Sequence, residues 1–150
     1  MINIEIIPEF RRVFMSGPLE KAASATLLHQ SAPDADLTLV LTGDAQVQAL
    51  DRAFLDTDAS TDVLSFPSSE TDPETGRRYL GDIIISVPQA ETQSLAAGHS
   101  LEAELSLLVI HGVLHLLGHD HARSKEKARM WAAQSEVLSG LGIPSTIVHE

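Results

Sequence analysis

The chain has 150 residues, a length that suits one domain able to bury a core without metals or disulfides. It contains no cysteine, which excludes disulfides, iron–sulfur clusters, thiolate zinc sites and cysteine nucleophiles. Ten Lys and Arg against 21 Asp and Glu leave a formal charge of −11, and a field of that sign excludes binding to nucleic acid or anionic lipid through a broad basic surface.

The first ten residues mix charged and apolar side chains and lack the ordered regions of a signal peptide. The longest apolar tract, Leu105 to Gly118, is too short for a membrane span and is interrupted by His111 and His115. The expectation is a soluble protein of a bacterial-type cytoplasm with no membrane partner. No repeat and no low-complexity segment interrupts the chain.

In chain order, Ile2, Ile4 and Ile6 alternate with Asn3 and Glu5, the pattern of a half-buried strand. Gly17-Pro18 opens a helix whose stripe is Leu19, Ala22, Ala23, Leu27 and Leu28. Leu37, Leu39 and Leu41 form a second alternating strand. Gly43-Asp44 starts a helix through about Phe54, with Val47, Leu50 and Phe54 on one stripe. Residues 56 to 62 read as loop, Val63 to Phe66 as a third strand, and 68 to 78 as an exposed hairpin connection rich in Ser, Asp, Pro and Gly. Leu80 to Val87, with Ile83-Ile84-Ile85, is a well-buried strand, and helical signals run from Pro88 almost to the end. The fold class is α/β (α+β): a small domain spanning 1–150, with about four strands in one sheet packed against helices. The helix from about Leu101 to Leu117 is apolar nearly all round and therefore belongs in the core. Ser100 is its expected N-cap, Glu102 and Glu104 complement its dipole, and Gly118 is a natural left-handed stop. A further helix runs from Arg123 to about Leu138 and ends at Gly140.

Four of the seven histidines fall within eleven residues, from His111 to His121. His111 and His115 are i and i+4, so both imidazoles leave one face of the buried helix. Gly118 can reverse the chain and return His121 to the same point. Three neutral imidazoles converging there suit Zn²⁺ with its fourth position open to water, which is the catalytic arrangement. An unpaired ring on an otherwise apolar helix costs free energy, which favours ligation over an ordinary core histidine. His119 either replaces His121 as a ligand or faces solvent. Asp120 either orients a ligand imidazole or is an exposed loop acid. His29, His99 and His149 stand outside any ligand spacing.

The same spacing overlays the metzincin peptidase template H-E-x-x-H-x-x-G-x-x-H, except that Gly112 occupies the place of the catalytic glutamate. Glu104 shares the His111 face but stands two turns away, too far to replace it. A metal could still lower the pKa of a bound water to about 7. The general base of peptidase chemistry is missing.

The segment His111-Gly112-Val113-Leu114-His115-Leu116-Leu117-Gly118-His119-Asp120-His121 resembles the signature of the YbeY family, bacterial rRNA-maturation endoribonucleases. Thr61 to Pro67, Leu80 to Ile85, and Met130, Trp131, Gln134 and Val137-Leu138 extend the resemblance, which covers roughly Leu37 to Leu141. It implies a small α/β domain with His111, His115 and His121 as ligands of one zinc ion. The implied enzyme is a single-strand-specific endoribonuclease of 16S rRNA 3′-end processing and ribosome quality control. Single-stranded rRNA, the small ribosomal subunit and a ribosome-assembly GTPase are its implied partners.

Two residues depart from the family pattern. His119 stands where the family usually has Tyr. Phe54-Leu55 matches a Tyr-Arg pair whose arginine is implicated in activity, and a leucine cannot clamp a phosphate. Arg52, one turn earlier, is either its substitute or an ordinary helix residue. A zinc peptidase of metzincin-like geometry and a non-catalytic ribosome-associated factor are the alternative functions. The charge is also uneven. Asp56 to Glu74 holds six acids and no base, whereas Arg123 to Arg129 holds four bases and one acid. That basic stretch is either a solvated helix face or an RNA-phosphate contact. Binding is then expected to be local to the metal cleft and weak on free RNA.

Overall fold

The computed structural model describes residues 1–13, 15–54 and 63–144, with the backbone alone over 51–54. Leu55, the acids of 56–62 and His149 lie outside the described residues, as does the side chain of Arg52.

The elements are β1 (Ile2–Ile6), a 3₁₀ turn (Pro8–Phe10), α1 (Gly17–His29), β2 (Asp36–Thr42), α2 (Asp44–Phe54), β3 (Val63–Pro67), β4 (Tyr79–Ser86), α3 (Val87–Ala97), α4 (Leu101–Leu116) and α5 (Ser124–Gly140). Their order matches the chain-order reading of the sequence. The four strands form one mixed sheet in the order β1-β2-β4-β3. β1, β2 and β4 run parallel, joined by helical crossovers, and β3 pairs antiparallel with β4. The segment between β3 and β4 closes as a hairpin, with a Thr71–Arg78 bridge and Asp72 Oδ1 accepting from the Glu74 backbone at 2.8 Å.

Alternation along the strands sends their apolar residues to two covered faces. Leu37, Leu39, Leu41, Ile83 and Ile85 face the main core, where α1, α4 and α5 contribute Leu19, Leu27, Leu105, Ile110, Met130 and Leu138. Ile84 points the other way and joins Leu64 and Val47 under α2. The unbroken Ile83-Ile84-Ile85 run is thus explained, because a strand buried on both faces shows no polar alternation. One apolar assignment fails: Leu28 is 69% exposed. It lies about 100° round the helix from Leu27, and the stripe that packs is Leu19, Ala22, Ala23, Thr26 and Leu27. The two alanines let α1 approach α4 closely.

α4 is buried along almost its whole length, between the sheet on one side and α1, α3 and α5 on the others. At Gly112 it lies so close to β4 that a Cβ there would stand 2.8 Å from Cγ2 of the buried Ile83. A substitution must displace a packed β-branched side chain. Gly112→Ala is therefore expected to destabilise the fold by about 1–3 kcal/mol through overpacking, measured by denaturant unfolding. A neutral result would mean that the helix can move off the sheet.

At the edge of the sheet, Arg77 donates to Asp36 Oδ1 through Nη2 at 2.7 Å and Nε at 2.9 Å, and the Met1 ammonium meets the same carboxylate. The Arg77 guanidinium, helped by that ammonium and opposed by partial burial, holds the Asp36 carboxyl at about 2. A carboxyl held below its unfolded value of 3.8 stabilises the fold above that value and loses the contribution as pH falls through about 2. Arg77→Ala should lower the melting temperature at pH 7, and the loss should shrink as pH is lowered towards 2. An equal loss at every pH would count against the pair.

Candidate metal centre

α4 starts where the Ser100 hydroxyl accepts a hydrogen bond from the Ala103 backbone at 3.1 Å, with Glu102 and Glu104 in the first turn, as the sequence pattern anticipates. It ends in a Schellman turn. Gly118 N–H donates to the His115 carbonyl at 3.0 Å, and His119 N–H donates to the Leu114 carbonyl at 2.9 Å. Gly118 carries φ +101°, a conformation that a side chain would strain. The reversal brings His121 back over the last turn of the helix.

The result is a cluster of three imidazoles. The ring centroids are 4.6 Å apart for His111 and His115, 5.5 Å for His111 and His121, and 5.1 Å for His115 and His121. One ligand nitrogen from each lies within 4.8 Å of the others. His111 and His115 are half-buried and His121 is exposed, so the cluster opens to solvent on the His121 side. Three imidazoles form a donor set for a transition-metal ion such as zinc, copper, iron or nickel rather than for magnesium or calcium.

Gln134 of α5 supports this set from behind. Its Oε1 accepts a hydrogen bond from His111 Nδ1 at 2.7 Å, and the residue is 1% exposed. With the proton committed to Nδ1, His111 presents the bare Nε2, which faces His115 Nε2 at 3.1 Å. Burial, followed by the neighbouring His111 and His121, pushes the His115 imidazole down to about 4. It is therefore neutral at pH 7, the form that binds metal. Trp131, one turn before Gln134, stands perpendicular to two of the rings, at 6.0 Å from His111 and 5.8 Å from His121. Sequence reasoning placed Gln134 within the family resemblance but gave it no role at the metal. The available signal was a polar residue on the buried stripe of α5 with Met130, Ala133, Val137 and Leu138.

His119, Asp120 and Glu104 make other contacts. His119 is not in the cluster: its Nε2 donates to Gln30 Oε1 at 2.8 Å, which holds the ligand turn against the end of α1. Gln30 Nε2 donates in turn to His29 Nδ1 at 2.8 Å, and His29 Nε2 donates to Glu136 at 2.6 Å. Burial is the main cause that pushes the His119 imidazole below its ordinary value. Asp120 accepts from the His121 backbone N–H at 2.7 Å, a contact that shapes the ligand loop, and its charge also acts on the His115 ring. Glu104 is fully buried and bonds His99 Nε2 at 2.6 Å, so it is committed to a partner away from the missing peptidase position. Gly112, at that position, faces Ile83 and leaves no room for a glutamate.

Comparison with known proteins gives the family. A family profile described as "Endoribonuclease YbeY" matches residues 11–142, which brings α1 into the matched stretch and extends it beyond the Leu37–Leu141 read from the motifs. The protein named "Endoribonuclease YbeY" from Moorella thermoacetica is 44% identical over 149 residues, covering 95% of this chain and 90% of that one. Its namesake from Roseiflexus sp. strain RS-1 is 40% identical over 149 residues, covering 95% and 93%. A solved structure from Thermotoga maritima superposes with a TM-score of 0.59 at 25% identity, covering 93% of this chain and 91% of the other.

His115→Ala should abolish metal uptake by purified protein reconstituted with a divalent transition metal. Gln134→Leu removes the acceptor while keeping the bulk, and should weaken metal affinity by about 10- to 100-fold in chelator competition. Unchanged affinity in the second variant would remove Gln134 from the support of the centre.

Proposed function

The chain belongs to the YbeY endoribonuclease family, and on that premise we propose that it is a zinc-dependent endoribonuclease cutting single-stranded RNA. We further propose that it works in the cytoplasm on the 3′ end of 16S rRNA and in ribosome quality control, with the small ribosomal subunit and a ribosome-assembly GTPase as partners. No described helix is long and apolar enough to cross a membrane.

The observation that carries the reading is the convergence of His111, His115 and His121 on one point with solvent on one side. Two imidazole nitrogens on a tetrahedral zinc stand about 3.3 Å apart at ordinary bond lengths. The His111 and His115 Nε2 atoms are already 3.1 Å apart. His111, His115 and His121 would hold the ion as uncharged ligands, so that its double charge would be left to act on an anionic substrate. Zinc, if held there, would supply a Lewis acid for the phosphoryl group and a water of lowered pKa.

The chain's own residues prepare the site. The amide of Gln134 fixes the tautomer of His111. The Schellman turn holds His121 over the helix end. The absence of a glutamate at 112 disfavours peptide hydrolysis, which relies on that base. Phosphodiester cleavage is less dependent on it, because charge stabilisation at the phosphoryl group by a metal does much of the work.

The test is cleavage of a single-stranded RNA by zinc-loaded protein, with its duplex and a chelated sample in parallel. Cleavage confined to the single strand, lost with chelator and in His115→Ala, is the expected result. Stoichiometric zinc with RNA binding but no cleavage would favour the non-catalytic ribosome-associated factor instead. The product ends identify the attacking group: a 2′,3′-cyclic phosphate assigns it to the ribose 2′-hydroxyl and excludes water.

A further inference from the structure

We propose that Lys127 is a substrate-binding residue that holds a backbone phosphate of single-stranded RNA beside the metal centre, an inference that rests on the endoribonuclease reading. Arg123, Lys125, Lys127 and Arg129 crowd the start of α5, and sequence alone does not separate a solvated face from a phosphate contact. The structure separates them. Lys127, Trp131 and Gln134 are i, i+4 and i+7, so they form one stripe along the helix. Gln134 bonds His111, and Trp131 stands against His111 and His121. Lys127 Nζ lies 5.3 Å from the centroid of the Trp131 ring. The ammonium is therefore one side chain removed from the ligands.

The other three bases are placed differently. Arg123, Lys125 and Arg129 are exposed, whereas Lys127 is half-buried. Arg123 leans on Glu126 at 3.7 Å. Arg129 lines a hollow on the ligand turn with His119, Asp120 and Glu126, and it is not on the Lys127 stripe. Among the described residues no carboxylate pairs with Lys127. An indole face restrains an ammonium while leaving its N–H donors free. A restrained cation loses less side-chain entropy on meeting a phosphate than a free lysine does. Aromatic side chains beside cations are the usual means by which proteins grip single strands. In a chain of net charge −11, attraction for RNA must come from such local groups rather than from the surface as a whole.

The experiment compares zinc-loaded wild type, Lys127→Ala, Lys127→Arg and Lys125→Ala on one single-stranded RNA, reading kcat, KM, zinc content and the salt dependence of binding. Lys127→Ala should raise KM on the order of tenfold with little change in kcat or zinc content. Its slope of log affinity against log salt should be shallower by about 0.7, the value for one phosphate contact on a single strand. Lys127→Arg should restore most of the loss, and Lys125→Ala should behave as wild type. Wild-type KM and salt slope in Lys127→Ala would overturn the subsite while wild-type cleavage leaves the endoribonuclease reading standing. A loss in Lys125→Ala as large as in Lys127→Ala would likewise reduce the effect to a general field. Zinc-loaded wild type that neither binds nor cleaves RNA would overturn both.

Discussion

Where Gly112 meets Ile83, α4 and the sheet are closer than any side chain would allow, and the placement of the metal centre follows from that approach. With one face of the helix seated on β4, Leu105, Leu108, Val109 and Leu116 are buried against sheet and neighbouring helices. His111 and His115 are left half-buried on the remaining flank, the one closed by α5. The same contact that anchors the helix fills the space a peptidase base would occupy. One glycine thus sets the position of the ligands and leaves no room for a glutamate at 112.

A second constraint acts at the end of that helix. A helix supplies two ligands at i and i+4, but its third neighbour on that face would point one turn further along the axis and away from a shared ion. The Schellman turn at Gly118 resolves this by reversing the chain, and two hydrogen bonds hold the reversed segment: His119 to Gln30 and the His121 backbone to Asp120. His119 and Asp120, within the signature, each help to hold the loop that presents His121. α5 then closes the back of the cluster with a buried amide. It leaves a positive charge at the front.

Electrostatics divides the molecule in a way the total charge conceals. The acidic hairpin between β3 and β4 carries Glu70, Asp72 and Glu74, while the opening of α5 is basic. At the centre itself the His115 ring is kept neutral chiefly by burial. A bound dication would therefore be the largest charge in the cleft, with Lys127 as the nearest support on that stripe. A strongly acidic protein and an anionic substrate are compatible on these terms, because attraction confined to the cleft selects for strands that reach it.

Period-2 and period-3.6 patterns, helix caps and the Gly118 stop are local properties, so the sequence by itself determined the order of strands and helices. It also determined the buried character of α4 and the candidacy of His111, His115 and His121, because i,i+4 spacing and a left-handed glycine act over a single turn. Only the tertiary structure decided what depends on residues distant in the chain. It settled His119 on Gln30 across 89 residues and put Gln134 behind His111 across 23. It exposed Leu28, and it distinguished Lys127 from three similar bases. Those outcomes depend on how α1 and α5 rotate and dock against α4. The rotation is set by close packing of the whole core, a collective constraint that no window of sequence contains.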